Sequence, residues 1–335
     1  MDAPVGRTIE LIRGSSHDGP GLRTTVFLKG CSLDCQWCQN PEGIAFGQAV
    51  WWEARTCIRC GACIAACPDH VLSSRTDGIR LDRGRCTHCG TCVEACPARA
   101  MRFTGRDWHL DALLKEVLKD RDYYRAFDGG VTASGGEPLC QYAFVAALFR
   151  RLQDESVHTA LDTCGLAAPE AFAAVLPHTD LVLFDIKLLD SGRHRQLTGQ
   201  GNERILANLN TVADHIRNAS TGPNGLWIRT PLIPGATATT ENLAAIGRFI
   251  RDRLADVIQR WELCAFNGAC HEKYERLDLQ WPYADQPLLD AHTVDTLKNA
   301  ALHGGFPSDK LVVSGLIAHR DAFGQPPIQP DQSGK

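Results

Sequence analysis

The chain has 335 residues, fifteen of them cysteine and two methionine, with 35 basic against 39 acidic side chains and a net charge of −4. Such a balance argues against a protein held to nucleic acid by bulk charge, and no apolar run reaches the roughly 18 residues of a membrane span. An odd cysteine count, a length able to bury its own core and a charged start without an apolar secretory stretch argue against a disulfide scaffold. They point to a reduced, cytoplasmic protein whose thiols bind metal, react or fill the core.

Taken in chain order, the first clear element is Thr24 to Leu28, an apolar β-branched run that reads as a buried strand. A loop with three cysteines follows, Cys31-Ser-Leu-Asp-Cys35-Gln-Trp-Cys38. C-x3-C-x2-C supplies three thiolates and no fourth. A cube held that way keeps one iron open, as a catalytic metal does and a structural one does not. On spacing alone a partial zinc site is the alternative.

Next comes an internal repeat. Cys57, Cys60, Cys63 and Cys67-Pro68, then Cys86, Cys89, Cys92 and Cys96-Pro97, each spell C-x2-C-x2-C-x3-C-P. This is the bacterial ferredoxin run, in which the fourth cysteine serves the other cluster. Cys57, Cys60, Cys63 and Cys96 then hold one [4Fe–4S] cube, and Cys86, Cys89, Cys92 and Cys67 the second. Paired structural zinc sites are the alternative, but they give the x3-Cys-Pro tail no role.

Beyond the repeat, strand and helix patterns alternate. Helices are expected at Leu110–Arg121, Gln141–Gln153, Pro169–Leu176, Ile205–Ile216, Glu241–Leu254 and Leu288–Ala301. Strands are expected at Gly130–Ser134, Val157–Asp162, Asp180–Ile186, Leu226–Leu232 and Arg260–Phe266. With the first strand, this makes six β/α units and a parallel sheet. Six falls short of a full eight-unit barrel. The expected fold is therefore α/β, a partial (β/α)6 barrel with an inserted ferredoxin-like 2×[4Fe–4S] domain. Residues 1–50 begin the barrel and carry the three-cysteine loop, 51–105 form the insert, 106–322 complete the barrel and 323–335 are a loose polar tail.

Polar groups gather at the strand ends. Ser134-Gly135-Gly136-Glu137-Pro138 follows the second strand, Asp162 and Thr163 the third, Asp185 and Lys187 the fourth. Each alone reads as a turn or a solvated charge, but all share one end of the sheet with the three-cysteine loop, the end that carries chemistry in such folds. Glu137 there offers a carboxylate to a ligand ammonium. Cys140, Cys164, Cys264 and Cys270 form no ligand set and read as small core residues.

These residues resemble the radical S-adenosylmethionine superfamily, through C-x3-C-x2-C after one strand and Gly-Gly-Glu-Pro after the next. Within it they resemble the activating enzymes of glycyl-radical enzymes, through His17-Asp18-Gly-Pro-Gly21-Leu-Arg23, Trp37-Cys38-Gln-Asn40-Pro, Leu161-Asp-Thr163, Asp185-Ile-Lys187 and Arg229-Thr-Pro-Leu-Ile-Pro-Gly235. The resemblance implies three [4Fe–4S] clusters, one binding S-adenosylmethionine and two auxiliary, in an anaerobic enzyme. It implies that Gly135, Gly136 and Glu137 hold the methionine amine and Lys187 the carboxylate, with Asn40, Arg229 and Asn267 also in the cofactor site. Asp162, Thr163 and Asp185 match a cofactor and monovalent-cation site. Asp18 and Arg23 match the segment facing the partner's glycine loop. The implied partners are a glycyl-radical enzyme and a flavodoxin or ferredoxin electron donor, with no nucleic acid, no membrane and a monomeric chain. Asn267 departs from the family, which often has histidine there, and His271 nearby replaces it only if the loop curls back. Two other readings stay open: a radical enzyme acting on a small molecule or peptide with the insert as electron relay, and a ferredoxin-like carrier without catalysis.

Overall fold

Nine strands in one sheet organise the chain, in a computed structural model that describes residues 4–318 apart from 77. The tail expected to be loose at 323–335 lies outside the described residues. β1 (Val5–Ser15) turns back antiparallel into β2 (Arg23–Leu28), with Ser15 opposite Arg23. The chain then leaves for a small lobe. This lobe comprises β3 (Val50–Trp52), α1 (Ala62–Ala66), β4 (Leu72–Arg75), β5 (Gly78–Leu81), α2 (Thr91–Glu94) and β6 (Met101–Phe103). The return strand β7 (Arg106–His109) pairs antiparallel with β1.

Alternating units complete the sheet. They run α3 (Leu110–Val117), α4 (Arg121–Ala126), β8 (Gly130–Gly135), α5 (Tyr142–Asp154), β9 (His158–Thr163), α6 (Pro169–Val175) and β10 (Leu181–Asp185). Then come α7 (Ser191–Thr198), α8 (Glu203–Asn218), β11 (Leu226–Leu232), α9 (Thr240–Leu254), β12 (Ile258–Ala265), α10 (His271–Arg276), α11 (Ala291–His303) and β13 (Leu311–Ser314). Strand order is β13-β12-β11-β10-β9-β8-β2-β1-β7, parallel from β13 through β2. The sheet has two edges and does not close, so the barrel is partial.

All six expected strands are present. Three more in the main sheet, β1, β7 and β13, carry no clear pattern: β1 alternates only over its first half before turning outward, β7 reads Arg-Asp-Trp-His, and β13 has four residues. α7 is also additional. Its sequence Ser-Gly-Arg-His-Arg-Gln-Leu-Thr has almost no apolar stripe, but its ends are built: Asp190 accepts from the Arg193 N–H at its start, and Gly199 takes φ +82° at its close.

Alternation along the strands separates two faces. Val26, Leu28, Val131, Ala133, Leu161, Val182, Phe184, Ile228 and Leu263 point outward and pack on Leu113, Leu148, Phe149, Phe172, Leu209 and Leu243 of the helices. Each fully buried aliphatic side chain contributes about 1.5–3 kcal/mol by leaving water. The other face carries Thr25, Thr132, Ser134, Asp162, Asp185, Arg229 and Glu262. A polar lining on the concave side marks the site.

The small lobe is closed at its neck, where the Thr104 N–H donates to the Ala49 carbonyl at 2.7 Å and the Ala49 N–H to Thr104 Oγ1 at 3.1 Å. It leans on α10. Arg55 pairs with Glu272 at 2.7 Å, Arg83 with Asp278 at 3.0 Å, and Glu53 with Arg276 at 3.0 Å.

Candidate active site and cluster-binding lobe

The three-cysteine loop leaves the C-terminal end of β2 and is pinned on both sides. The Gly30 and Cys31 N–H groups donate to the carbonyls of Gly43 and Ile44, and those of Asp34 and Gln36 to Thr198 and Leu197 at the end of α7. The Tyr274 hydroxyl donates to the Cys38 carbonyl at 2.9 Å, and Lys273 Nζ reaches Asn40 Oδ1 and Glu42 Oε1, both at 2.7 Å. Trp37 packs with Phe266, Tyr274, Trp281 and Tyr283. The loop is therefore rigid before any ligand arrives.

The three thiols sit together in different fields. A hydrogen bond from Cys164 lowers Cys31, against burial and with help from the Leu33 N–H at 3.4 Å. Burial pushes Cys35 up to about 12 and raises Cys38 as well, and Cys31 acts on both. A buried thiol that resists ionisation in water releases its proton to solvent when a metal binds the sulfur. Cys164, read as a plain core residue, is thus a neighbour of the loop. Its place right after Thr163 at a strand end was the signal.

Gly136 lies where any side chain would strike the Gly30 carbonyl, at 2.2 Å from an added Cβ. Its N–H donates to Leu28 and that of Glu137 to Gly30, at 2.8 and 2.7 Å. The glycine pair thus lets β8 close on the cluster loop. Glu137 departs from expectation. It is fully buried and accepts from Thr163 Oγ1 at 2.8 and 2.9 Å, the Cys164 N–H at 2.8 Å and the Leu139 N–H at 3.0 Å. Three donors hold the carboxylate, Thr163 Oγ1 lying near both of its oxygens, and through them it clamps β8 to β9.

Asp185 and Lys187 face each other at 2.5 Å. Burial alone would lower Lys187, but Asp185, Cys35 and Cys164 hold it well above the lysine range. A cation thus stands beside the cysteine loop. Asp162 accepts from Ser134 Oγ at 2.7 Å and from Arg229 at 3.3 Å. Burial pushes its carboxyl up to about 6 against the pull of Arg229, and Asp185 and Asp18 add to the rise. Arg229 also approaches Glu262 at 3.7 Å. Glu262 and Ser134, absent from the expected set, were detectable as alternate residues on the same strand faces as Arg229 and Thr132. Each carboxylate expected beside a monovalent cation already faces a cationic side chain of the protein.

Asp18 and Arg23 part company. Asp18 accepts from Ser15 Oγ and Thr25 Oγ1, both at 2.7 Å, and its charge reaches Asp162. It therefore looks into the concave face. Arg23 is fully buried and donates to Thr132 Oγ1 at 2.7 Å and the Val131 carbonyl at 2.9 Å. It lies at the start of β2, the end away from the cysteine loop, and is a strut rather than a surface for a partner. Asn267 closes a turn onto the Ala269 N–H at 3.0 Å while its carbonyl accepts from Gln39. His271 does not curl back: it is exposed on α10, 3.8 Å from Glu275.

In the lobe, the two copies repeat in backbone as well as sequence. Arg59 and His88 take φ +56° and +57°, Gly61 and Gly90 +75° and +84°, His70 and Arg99 +50° and +53°. Three matched left-handed residues per copy wind each loop around a centre and aim the fourth cysteine away. Burial raises Cys63, and the thiols adding to that rise are Cys96 and Cys57. Burial pushes Cys92 up to about 11, with Cys86, Cys67 and Cys89 adding. Cys96 stands with the first copy and Cys67 with the second, which fits eight thiolates to two cubes with exchanged fourth ligands. Among the described residues no three His, Cys, Asp or Glu side chains are placed to hold a single metal ion. Thiolates that each bind a different iron need not converge on one point.

Residues 56–105 match the family described as a 4Fe-4S dicluster domain, and residues 83–245 the radical SAM superfamily. The second match begins past Cys38, so the three-cysteine loop rests on its own residues. The chain is 36% identical over 299 residues to the isethionate sulfite-lyase activating enzyme of Nitratidesulfovibrio vulgaris, covering 88% of this chain and 94% of that protein. It is 38% identical to the trans-4-hydroxy-L-proline dehydratase activating enzyme of Clostridioides difficile, covering 80% and 87%. It is 36% identical to the (2S)-3-sulfopropanediol dehydratase activating enzyme of Klebsiella oxytoca, covering 84% and 87%.

Proposed function

The chain belongs to the glycyl-radical enzyme activating enzymes of the radical S-adenosylmethionine superfamily, and from that premise we infer that its cysteines hold three cubes, one open and two closed. An enzyme of this kind reductively cleaves S-adenosylmethionine at a [4Fe–4S] cluster, and the 5′-deoxyadenosyl radical takes a hydrogen atom from a glycine of a partner glycyl-radical enzyme. Cleavage gives methionine, the hydrogen transfer gives 5′-deoxyadenosine, and the partner keeps a backbone radical.

The observation carrying the residue assignment is the meeting of Cys31, Cys35 and Cys38 with the buried Lys187 at one end of the sheet. Three thiolates leave one iron for the amine and carboxylate of the cofactor, and Lys187 stands where that carboxylate needs a cation. Asp162, Asp185 and Arg229 line the concave face below, with Asp18 opposite them. Asn40 is held by Lys273 at the mouth. Glu137 and Arg23 position these groups and touch no ligand.

Residues 57–96 hold the two closed cubes, within an inserted unit of residues 51–105 between barrel segments 1–50 and 106–322. A flavodoxin or ferredoxin supplies the electron, and the chain works as a cytoplasmic monomer. Among the described residues no helix is long and apolar enough to cross a membrane. The relatives serve lyases and dehydratases of unlike substrates at similar identity. What they share with this chain is recognition of a glycine loop, not of a small substrate.

The test is chemical. After anaerobic reconstitution, iron and sulfide approach about twelve each per chain, and with dithionite, cofactor and a cognate partner a glycyl doublet appears by electron paramagnetic resonance. A stable eight of each removes the open cube from the Cys31 loop. Free 5′-deoxyadenosine without any doublet across candidate partners removes the glycine as target.

A further inference from the structure

We propose that the groove between the β4–β5 hairpin and the end of α10 is the docking site of an acidic one-electron carrier protein. The proposal rests on the reading that the lobe holds two iron–sulfur clusters. Residues 51–105 carry eight arginines and no lysine against five acids, a local +3 in a chain of net charge −4. Arg55, Arg83 and Arg102 are used in ion pairs with Glu272, Asp278 and Glu53. Arg59, Arg75, Arg80, Arg85 and Arg99 are exposed and make no ion pair or side-chain hydrogen bond among the described residues. Unpaired like charges on so small a lobe stabilise nothing inside it and repel one another.

Arg75, Arg80, Arg85 and His70 line one open groove of about 910 Å³, where the acids among the described residues are Asp82, Glu275 and Asp278, the last already taken by Arg83. The exposed Leu279 stands at its rim. Val71, Leu72 and Leu81 wall this groove and also wall the small cavity framed by Cys67, Cys86, Cys89 and Cys92. One layer of side chains thus separates a protein seated in the groove from the second thiolate set. The step would be a bare electron transfer: the reduced carrier would lose one electron and a cluster held by those four cysteines would gain it, with no bond formed or broken.

A carrier fits better than the glycyl-radical partner. The groove holds no residue of the barrel's concave face, which the partner's glycine must reach. Electron-transfer encounters need little area and use charge to steer. The carrier's acidic face would meet arginines that have no ion-pair partner among the described residues.

The experiment uses the reconstituted full chain and prereduced flavodoxin as the acidic carrier, with cluster reduction followed by stopped flow. The triple variant Arg75→Glu, Arg80→Glu, Arg85→Glu should be reduced at least about tenfold more slowly at low salt, with a flattened salt dependence. Arg75→Lys, Arg80→Lys, Arg85→Lys should keep the rate. Dithionite-driven cleavage of S-adenosylmethionine should be equal in all three proteins. Absence of that cleavage in the unaltered chain would instead count against the catalytic reading beneath the proposal. If the Glu triple loses clusters, Arg80→Glu alone, expected to slow reduction about threefold, takes its place. Reduction of the Glu variant at the unaltered rate overturns the proposal. So does a loss of glycyl doublet under dithionite with carrier reduction intact, which would make the groove a seat for the glycyl-radical enzyme.

Discussion

The Tyr274 hydroxyl donates to the main-chain carbonyl of Cys38 at 2.9 Å, across 236 positions of sequence. Tyr274 lies on α10, whose other residues grip the small lobe through Arg276 and Glu272. One short helix therefore ties the catalytic loop to the auxiliary-cluster lobe. Tyr274→Phe keeps the ring in its stack with Trp281 and removes only the hydrogen bond. The expected loss is about 1 kcal/mol of stability, read by urea unfolding of the cluster-free protein. The open cube should bleach faster under a chelator, while the two lobe clusters, whose cysteines have no hydrogen bond to this hydroxyl among the described residues, should bleach at the unaltered rate.

Glu137 is the second test, because its assigned role changed from ligand to clamp. Glu137→Ala leaves Thr163 Oγ1 and the N–H groups of Cys164 and Leu139 buried without an acceptor, at a cost of about 2–4 kcal/mol. Glu137→Gln keeps an acceptor oxygen for them and should cost less than half as much. If Glu137 bound the cofactor amine directly, the Gln variant would instead fold normally and raise the cofactor Kd strongly. Isothermal titration against S-adenosylmethionine separates the two.

Arg23 makes the same kind of distinction. Buried and bonded to Thr132, Val131, Pro20 and His158, it fixes the turn that presents Asp18. Arg23→Gln should lower stability by about 3 kcal/mol, seen as a reduced Tm. The KM for the partner enzyme should stay close to its original value in protein that remains folded. A changed KM with an unchanged Tm would return Arg23 to the partner-facing surface.

How far the sequence could be read follows from what each residue responds to. Ligand spacing is local chemistry, so the doubled cysteine run was legible, and the repeated left-handed residues around it follow from the same 29-residue offset. The parallel strands were legible because each carries apolar residues on its outward face and turn or helix signals on either side. Arg23 and Glu137 were not, because a charged side chain near a motif looks the same whether it meets a ligand or a buried donor. Only the fold brings Thr132 to Arg23 and Cys164 to Glu137. α7 was hidden by its polar stripe, although Asp190 and Gly199 marked both ends. Asn267 departs from the family's histidine, and the fold gives its side chain a turn-closing bond from the Ala269 N–H.

Cys35→Ala removes one of the three thiolates of the open cube and none of the eight in the lobe. Cleavage of S-adenosylmethionine should fall by more than the roughly hundredfold that loss of an outer-shell partner of a metal ligand costs at most. Iron and sulfide should drop from about twelve to about eight of each, and the lobe clusters should remain visible by electron paramagnetic resonance. Undiminished cleavage in this variant would move the chemistry away from the Cys31 loop.

Asp162 carries the pH dependence. Its carboxyl is raised from 3.8 to about 6, chiefly by burial. A carboxyl raised on folding holds its proton more tightly in the native state, so ionising it there costs stability. That cost is absent below the unfolded value, grows as pH rises, and is complete above about 6, at roughly 3 kcal/mol. Asp162→Asn cannot ionise and should lose this slope. The stability difference between variant and unaltered protein therefore shifts in the variant's favour between pH 4 and pH 7, measured by urea unfolding of the cluster-free chain. Function should run the other way. The ionised carboxylate is the form that can face the cofactor's positive charge and hold Arg229 in place at 3.3 Å. Cleavage by the unaltered enzyme should climb through one titration near pH 6, and Asp162→Asn should stay low and flat. A variant with the same rising profile would assign the titration to another group. A charge kept in the barrel at a cost to folding is what a site built for a cationic cofactor predicts.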